Sequence, residues 1–409
     1  MISIERMEYI VKLVKEHGID GAIKEEALEH RVLSRATILD YISRYDLIAK
    51  TDGEIILENV RLEKSRQRFM DRNRVERKSF REYARTDNAL SELTRELIKV
   101  FKENQLKENP PKHDVENQGG VGVIHLTDIH FNELVSLPTN RYDFSVASKR
   151  IRKFANISKR EFLKAGFKTV VIADTGDKLN SDRRLDEIMS NATNRSQAQF
   201  IAVEILRQFI LDLAEDFNVV YTYVLGNESR VQDEISWGEF TVTDSYDYNI
   251  VHMLKLIFTG GAVTFVEPET PNKTVININN KNFGLIHGTK FGNDPHKGVK
   301  SLVRLYADKG VCVDYVLFGH IHEAMVADKF SRGSSVVGAN AFSEDGLVLT
   351  SLASQNLHFV YNNGDINTLR VDLQNTNNPG YNITKKLEAY NAKSAKKSES
   401  KTVIFQVLT

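Results

Sequence analysis

A single cysteine, Cys312, leaves no partner for an internal disulfide and no second thiolate for a cysteine-based metal cage, which suits a reducing compartment. Net charge is missing as well. The 55 Lys and Arg balance the 55 Asp and Glu, so no whole-molecule field draws the chain onto nucleic acid or an anionic membrane, and any such attraction must be regional. No stretch approaches the roughly 18 apolar residues of a membrane helix. The start, MISIERMEYIVKLVKEHG, mixes charges every few residues and reads neither as a signal peptide nor as a span. Internal repeats are absent, and the expected location is the cytoplasm. What is present is an ordinary globular composition, 41% hydrophobic and 27% charged over 409 residues. At about 100–200 residues per domain, that length predicts two or three domains.

Residues 1–57 read as a compact front domain. Ile4, Met7, Ile10, Val11 and Val14 follow a 3.6-residue period that ends at His17-Gly18, and KEEALEHR supplies a short second helix. Ser34 is placed to cap a third helix, RATILDYISRY, with Ala36, Leu39 and Ile42 as its buried stripe. LIAKTDGEIIL then reads as two short strands around Asp52-Gly53, a hairpin dipeptide. This order of elements resembles a winged helix-turn-helix domain, and the resemblance implies Arg35, Tyr41 and Arg44 as DNA contacts from the third helix. The alternative is a three-helix cap that packs on another body.

Residues 58–119 look like a basic helical arm. Between Arg61 and Arg85 ten basic residues face four acidic ones, a local excess of six positive charges. Such a run is either a solvated helix face or a phosphate-backbone contact. Pro110-Pro111 and Gly119-Gly120 close the arm. From 120 to 375 β-rich segments (VGVIHL, KTVVIA, NVVYTYVL, NFGLI, VDYVLF) alternate with amphipathic helices, so an α/β domain with buried strands is expected. Residues 376–409 form a basic tail, expected to be flexible, with a terminal strand, TVIFQVLT, that could dock on the body or on a protein partner.

Each of the five strand candidates is followed by a polar cluster: Asp128-Ile129-His130, Asp174-Thr175-Gly176-Asp177, Gly226-Asn227-Glu228, His287-Gly288 and Gly319-His320-Ile321-His322. Strand ends of an open sheet converge on one crevice, so these groups can meet across almost 200 residues of sequence. Residues two apart at a strand end point the same way, which lets Asp128 with His130, and His320 with His322, grip one ion from one side. An Asp-x-His triplet alone arises by chance in roughly one such chain in two. Five clusters in order at five strand ends are a different matter, and an all-structural role for them is unlikely on composition alone.

The ordered motifs, Asp-x-His, Gly-Asp, Gly-Asn, His-Gly and Gly-His-x-His over residues 128–322, resemble those of calcineurin-like metallophosphoesterases. In appearance the chain is most similar to the DNA repair exonuclease branch and to bacteriophage-encoded relatives; a phage-encoded chain would work in the bacterial host cytoplasm. The resemblance implies an α/β fold of two mixed sheets flanked by helices and a dinuclear metal centre. Asp128, His130 and His322 would hold one metal and Asn227, His287 and His320 the other, with Asp177 bridging. Such ligands suit Mn2+, the expected ion, with Zn2+ or Fe2+ as alternatives. A hydroxide activated by the two metals would then attack the phosphorus.

This chain departs from the family at one position. The residue after the motif asparagine is ordinarily a histidine that assists the leaving group, and here it is Glu228. Either Glu228, or His125, His252 or His296, takes that role, or metal contact with the leaving oxygen suffices, or the enzyme is restricted to easily displaced leaving groups. Arg230 and Lys290 are the candidate substrate-binding cations. The expected function is a metal-dependent phosphoesterase, and specifically a DNA nuclease. The alternatives are a small-molecule phosphatase or cyclic-nucleotide phosphodiesterase, and a weakly active DNA-binding regulatory protein. DNA is the expected partner, no membrane is, and a homodimer is compatible with the family.

Overall fold

The computed structural model describes residues 3–29, 32–49, 60, 62–67, 70 and 109–389, except 117, 118, 236, 259, 260, 293, 341, 342 and 345–349. Two compact units divide the chain, Met1–Leu93 and Thr94–Thr409.

In the first unit, α1 (Ile4–Glu29) is broken where Gly18 takes φ 72°, so the expected pair of helices meets at the expected glycine. Ser34 Oγ accepts from Thr37 N at 3.1 Å and opens α2 (Arg35–Ala49). The buried side of α2 differs from the expected one. Ile38 is fully buried with Ile10 and Ala22, and Tyr41 and Ile42 pack on them, while Leu39 is 49% exposed. One further expectation is corrected here. Leu47, Ile48 and Ala49, taken as the start of a wing strand, continue α2. Tyr41, expected as a DNA contact, is half-buried and packs on the small core. Arg35 and Arg44 stay on the surface, paired with Asp20 at 3.7 Å and with Asp40 at 2.9 Å. The remainder of the wing and most of the basic run lie outside the described residues.

The second unit is built from two sheets. In chain order its elements are β1 (Gly120–Leu126), β2 (Val135–Ser136), β3 (Arg141–Tyr142), α3 (Phe144–Lys164), β4 (Thr169–Asp174), α4 (Leu185–Ser190), α5 (Arg195–Ala214), β5 (Asn218–Tyr223), α6 (Glu239–Val242), α7 (Tyr246–Ile257), β6 (Val263–Val266), β7 (Lys273–Ile278), β8 (Lys281–Ile286), α8 (Pro295–Ala307), β9 (Tyr315–Phe318), β10 (Met325–Ala327), β11 (Phe330–Arg332), β12 (Ser354–Tyr361), β13 (Ile366–Asp372) and α9 (Thr384–Ala389). The first sheet runs β13-β12-β1-β4-β5-β6 and the second β10-β11-β9-β8-β7. Within the first, β1, β4, β5 and β6 are parallel; within the second, β8, β9 and β11 are. All five expected strands are present, divided three and two between the sheets rather than lying in one.

Alternation along the central strands sets the layers. Ile124, Leu126, Val170 and Ile172 face a helix layer containing α3, α5 and α7. Val123, Val171 and Ala173 face the other way, onto Phe283, Leu285 and Leu317 of the second sheet. Beyond that sheet, Val299, Leu302 and Tyr306 of α8 cover Val316 and Phe318. The mixed α/β, two-sheet sandwich flanked by helices is therefore what the resemblance implied. Helix α3 shows why its sequence folds as it does: Asp143 caps it by accepting from Val146 N at 2.8 Å, and Phe144, Ile151, Phe154, Ala155 and Phe162 form one buried face.

Both ends of this unit extend past the core sheets. Pro110 O accepts from Ala262 N at 2.7 Å and His113 N donates to Asn218 Oδ1 at 2.9 Å, so the Pro110-Pro111 stretch packs along β5 and β6. The first part of the expected flexible tail is also seated. Tyr381, Ile383 and Leu387 are buried, and Tyr381 Oη donates to Asp212 of α5 at 2.8 Å. The terminal strand TVIFQVLT lies outside the described residues. Among the described helices none is long and apolar enough to cross a membrane.

Candidate metal centre

The loops that leave β1, β4, β5, β8 and β9 are tied to one another by backbone. Thr175 N donates to Leu126 O at 2.9 Å, Asp128 N to Gly176 O at 3.0 Å, and His130 N to Asp177 O at 3.0 Å, so the first two loops close like a short parallel ladder. Gly319 N donates to His287 O at 2.9 Å, joining the two loops of the second sheet. His320 N then reaches across the sandwich to Asp128 Oδ2 at 3.0 Å. Strand ends of both sheets thus meet at one edge.

Two groups of side chains converge there. Ligand atoms of Asp128, His130 and His322 lie within 4.8 Å of one another, and so do those of Asp177, His287 and His320. Asp177, expected to bridge the two metals, stands directly with His287 and His320, its Oδ2 2.9 Å from His287 Nε2. Asn227 lies beside this second group, its Oδ1 accepting from Thr289 Oγ1 at 3.2 Å. The seven residues named from the motifs are brought together. Asp174, in the same motif as Asp177, is not: it is buried against Lys178 Nζ at 2.7 Å and Tyr221.

Five of the eight described non-glycine residues with positive φ belong to these groups. Asp128, His130, Asp177, His320 and His322 all have positive φ, between 47° and 72°. Non-glycine residues rarely hold this region, and such strain persists where surrounding structure imposes it, commonly at functional sites. Gly226 and Gly319 give the carboxylates room. A methyl group on Gly319 would overlap Asp128 Oδ2 and Thr127 Oγ1, and one on Gly226 would overlap Asp177 Oδ1.

The donors fit divalent transition metals. Each group combines one carboxylate with two imidazoles, a set that suits Mn2+, Fe2+ or Zn2+ and not the all-oxygen preference of Ca2+. Within the two groups, buried His130 Nδ1 has no hydrogen-bond partner, and His287 Nε2 faces only the Asp177 carboxylate, at 2.9 Å. His287 Nδ1 lies 2.7 Å from Thr175 O, which fixes that nitrogen as the N–H and turns Nε2 toward Asp177. Protons respond to the same field. Burial opposes a charge on His130, yet its hydrogen bond to Asp128 and the charge of Asp177 raise it to about 9. Burial likewise opposes a charge on His287, which Asp177 raises to about 10. His320, buried and facing His287, is lowered to about 4. Burial also works against ionisation of Asp128, but its histidine partners hold it well below the usual carboxylate range. A pocket that holds protons on imidazoles against burial is one that favours cations.

The other expected site residues fall around this centre. Glu228 N donates to Asp177 Oδ1 at 2.7 Å, and its carboxylate forms a salt bridge with Arg183 at 2.9 Å while accepting from Asn227 Nδ2. Glu228, expected as the leaving-group acid, thus has its carboxylate engaged by the side chains of Arg183 and Asn227. His125 does not replace it: it is fully buried against Thr175 Oγ1 at 3.0 Å, and burial lowers it to about 4. His252 packs on the ring of Tyr248 and His296 on that of Phe330, away from the ligand groups. Arg230 points its guanidinium at the carbonyls of Asn227 and Asp233. Lys290 extends over the ring of Trp237, 3.5 Å from its centroid.

Three participants carry no motif. Asp247, at the start of α7, accepts from Asp177 N, Lys178 N and Gly226 N, holding two ligand loops with one carboxylate. Arg183 anchors Glu228 and also donates to the carbonyls of Glu228 and Arg230 at 2.8 and 3.1 Å. Thr127 Oγ1 donates to Asp128 Oδ2 at 2.6 Å. A helix-start serine and aspartate, Ser245 and Asp247, were readable as an N-terminal signal, but nothing in the sequence aimed Asp247 at a loop. On the open side a cleft of about 620 Å³ borders His130, Asp177, His320 and His322, and its rim carries Glu133, Asp186, Glu187, Glu228 and Glu323, of which Glu187, Glu228 and Glu323 are paired with Arg184, Arg183 and Arg332.

No family model matches the chain, and neither does any curated protein sequence. Solved structures do align with it. Vps29 complexed with Zn2+ from Entamoeba histolytica is 15% identical, with 62% of this chain and 99% of that one covered and a TM-score of 0.28. A conserved uncharacterized protein and predicted phosphoesterase from Streptococcus pneumoniae is 12% identical, with 61% and 97% covered and a TM-score of 0.24. A 5′-nucleotidase from Candida albicans is 10% identical, with 64% and 54% covered and a TM-score of 0.31.

Proposed function

We propose that the second unit hydrolyses phosphoesters with the help of two divalent cations, one held by Asp128, His130 and His322 and the other by Asp177, His287, His320 and Asn227. The observation that carries this reading is the pair of adjoining Asp/His groups, each with its ligand atoms within 4.8 Å, on loops whose backbone is held at positive φ. Such a pair of cations activates a water and neutralises phosphoryl oxygens. The chain's own groups complete the site. Asp247 sets the spacing of the Asp177 and Asn227 loops, Thr175 orients His287, and Lys290 stands at the edge where a phosphate would enter.

For the substrate we infer DNA, and hence a nuclease. Support comes from the front unit, whose α2 keeps Arg35 and Arg44 on its surface, and from the excess of positive charge between Arg61 and Arg85. A second reading, a phosphatase or phosphodiesterase for small esters, is favoured by the acidic rim of the large cleft, which would repel a polyanion entering from that side.

Metal analysis combined with turnover of duplex DNA, single-stranded DNA, RNA, a chromogenic phosphodiester and a chromogenic monoester tests both. Phosphoester cleavage that depends on Mn2+ and disappears in Asp177→Asn supports the hydrolase. Among the polymers, cleavage that falls when Arg35 and Arg44 are both replaced by alanine supports the nuclease. Turnover of small esters alone supports the second reading, and metal binding without turnover of any ester would remove the proposal.

A further inference from the structure

Beside Asn227 and His287 of the metal centre, a short stretch before α7 exposes large apolar side chains. Ile235 is 42%, Trp237 48% and Phe240 67% exposed. Singly exposed apolar residues are ordinary, but three within six positions beside a polar site mark a binding surface. A depression of about 70 Å³ runs from Asn227 and His287 to Trp237 and Ile235, with Lys290 on its wall. At about 30 Å³ per water that is space for two waters, enough for phosphoryl oxygens and too little for a heterocycle. A flat group attached to a phosphate seated there would lie on the rim, where the indole is.

We propose that Trp237 and Lys290 form a nucleoside subsite, in which Trp237 stacks a nucleobase and Lys290 faces the phosphate joined to it. The inference rests on the phosphoesterase reading and specifies its substrate as nucleotide-bearing. Its chemistry follows from the pair. The Lys290 ammonium covers one face of the indole, 3.5 Å from the ring centre, so a base would stack on the opposite face of this 48% exposed ring with the cation held close to the phosphate joined to it. The loop bearing Lys290 is tied to Asn227 by the Thr289 hydrogen bond, which holds the ammonium beside the metal ligands. An aliphatic or peptide occupant would use the apolar surface without needing the ammonium.

Trp237 is the only tryptophan in the chain, so indole emission of the full-length protein reports this position alone. Titration with thymidine 5′-monophosphate is expected to quench it saturably, while ribose 5-phosphate and inorganic phosphate leave it unchanged. Equal quenching by ribose 5-phosphate, or none by the nucleotide, would overturn base stacking. In parallel, Trp237→Ala is expected to raise KM for thymidine 5′-(p-nitrophenyl phosphate) about tenfold, the usual scale for loss of one stacked base. KM for methyl p-nitrophenyl phosphate should stay constant, and Trp237→Phe should recover most of the loss. An equal rise for both esters, or no rise for either, counts against the subsite. If the wild type turns over neither ester, the phosphoesterase reading fails, and the emission titration still decides the subsite.

Discussion

The carboxylate of Asp247 accepts from the backbone N–H of Asp177 at 2.8 Å, from a position 70 residues further along the chain. The same carboxylate takes Lys178 N and Gly226 N, so the loop after β4 and the loop after β5 share one anchor. Removing it leaves three buried donors unpaired. Asp247→Ala is expected to destabilise the unit by about 2–5 kcal/mol. Asp247→Asn, which keeps the shape, should cost less stability yet still lower metal affinity or turnover by about 10–100-fold. Chemical denaturation and metal titration on both variants separate the two effects; wild-type metal affinity in Asp247→Asn would show that the clamp is only structural.

Asp177→Asn removes a carboxylate from the group of Asp177, His287 and His320. Metal content measured by mass spectrometry should fall from about two ions per chain toward one, and turnover by more than about 100-fold. Undiminished metal content would show that the residue is not a ligand.

Gly319→Ala tests the crowding at Asp128. The added methyl group meets Asp128 Oδ2 and Thr127 Oγ1, both held in a buried hydrogen bond, so neither can move aside freely. Loss of the ion at the Asp128, His130 and His322 group is expected, with the second group retained. Full occupancy of both would count against the assignment.

Glu228 is paired with Arg183 at 2.9 Å, which engages the carboxylate away from a leaving group. Glu228→Gln should therefore keep turnover within about tenfold of the wild type and leave the alkaline limb of the pH–rate profile in place. A fall of 100-fold or more, on the scale of a lost general acid, would restore Glu228 to that role.

The metal-free protein should respond to pH in a definite direction. His130 and His287 are raised to about 9 and about 10 in the folded state, from about 6.5 when unfolded. Their stabilisation is fully present below about pH 6.5 and is lost as pH rises through 9 and 10. Metal loading runs the other way, because binding must displace those protons and so strengthens between about pH 6.5 and 10. Calorimetric titration with Mn2+ in buffers of different ionisation enthalpy should register proton release near pH 7. Uptake or no exchange would show that the imidazoles are already neutral.

The ligand groups were legible because their signal is local: a β-rich run followed closely by Asp, Asn or His, five times in order and four times with glycine in the cluster. The front unit was legible only in part. Periodicity placed α2 correctly, but with Leu39 inward, whereas Ile38 is the residue that packs; a shift of one position on a helix is about 100°, and short amphipathic segments do not exclude it. Leu47 to Ala49 looked like a strand because branched and apolar residues serve both structures, and the local sequence contains no stop before them.

The chain's sequence by itself determined the five strands that lead to the site, where they end, and which Asp, Asn and His side chains stand at those ends, since backbone preference and side-chain chemistry act over a few residues. Only the tertiary structure decided that these ends lie on two sheets facing one another, that Asp177 groups directly with His287 and His320, and that Asp247 and Arg183 hold the loops. Those outcomes depend on contacts between residues 45 to 192 positions apart, whose energies come from packing and buried hydrogen bonds that no local pattern encodes.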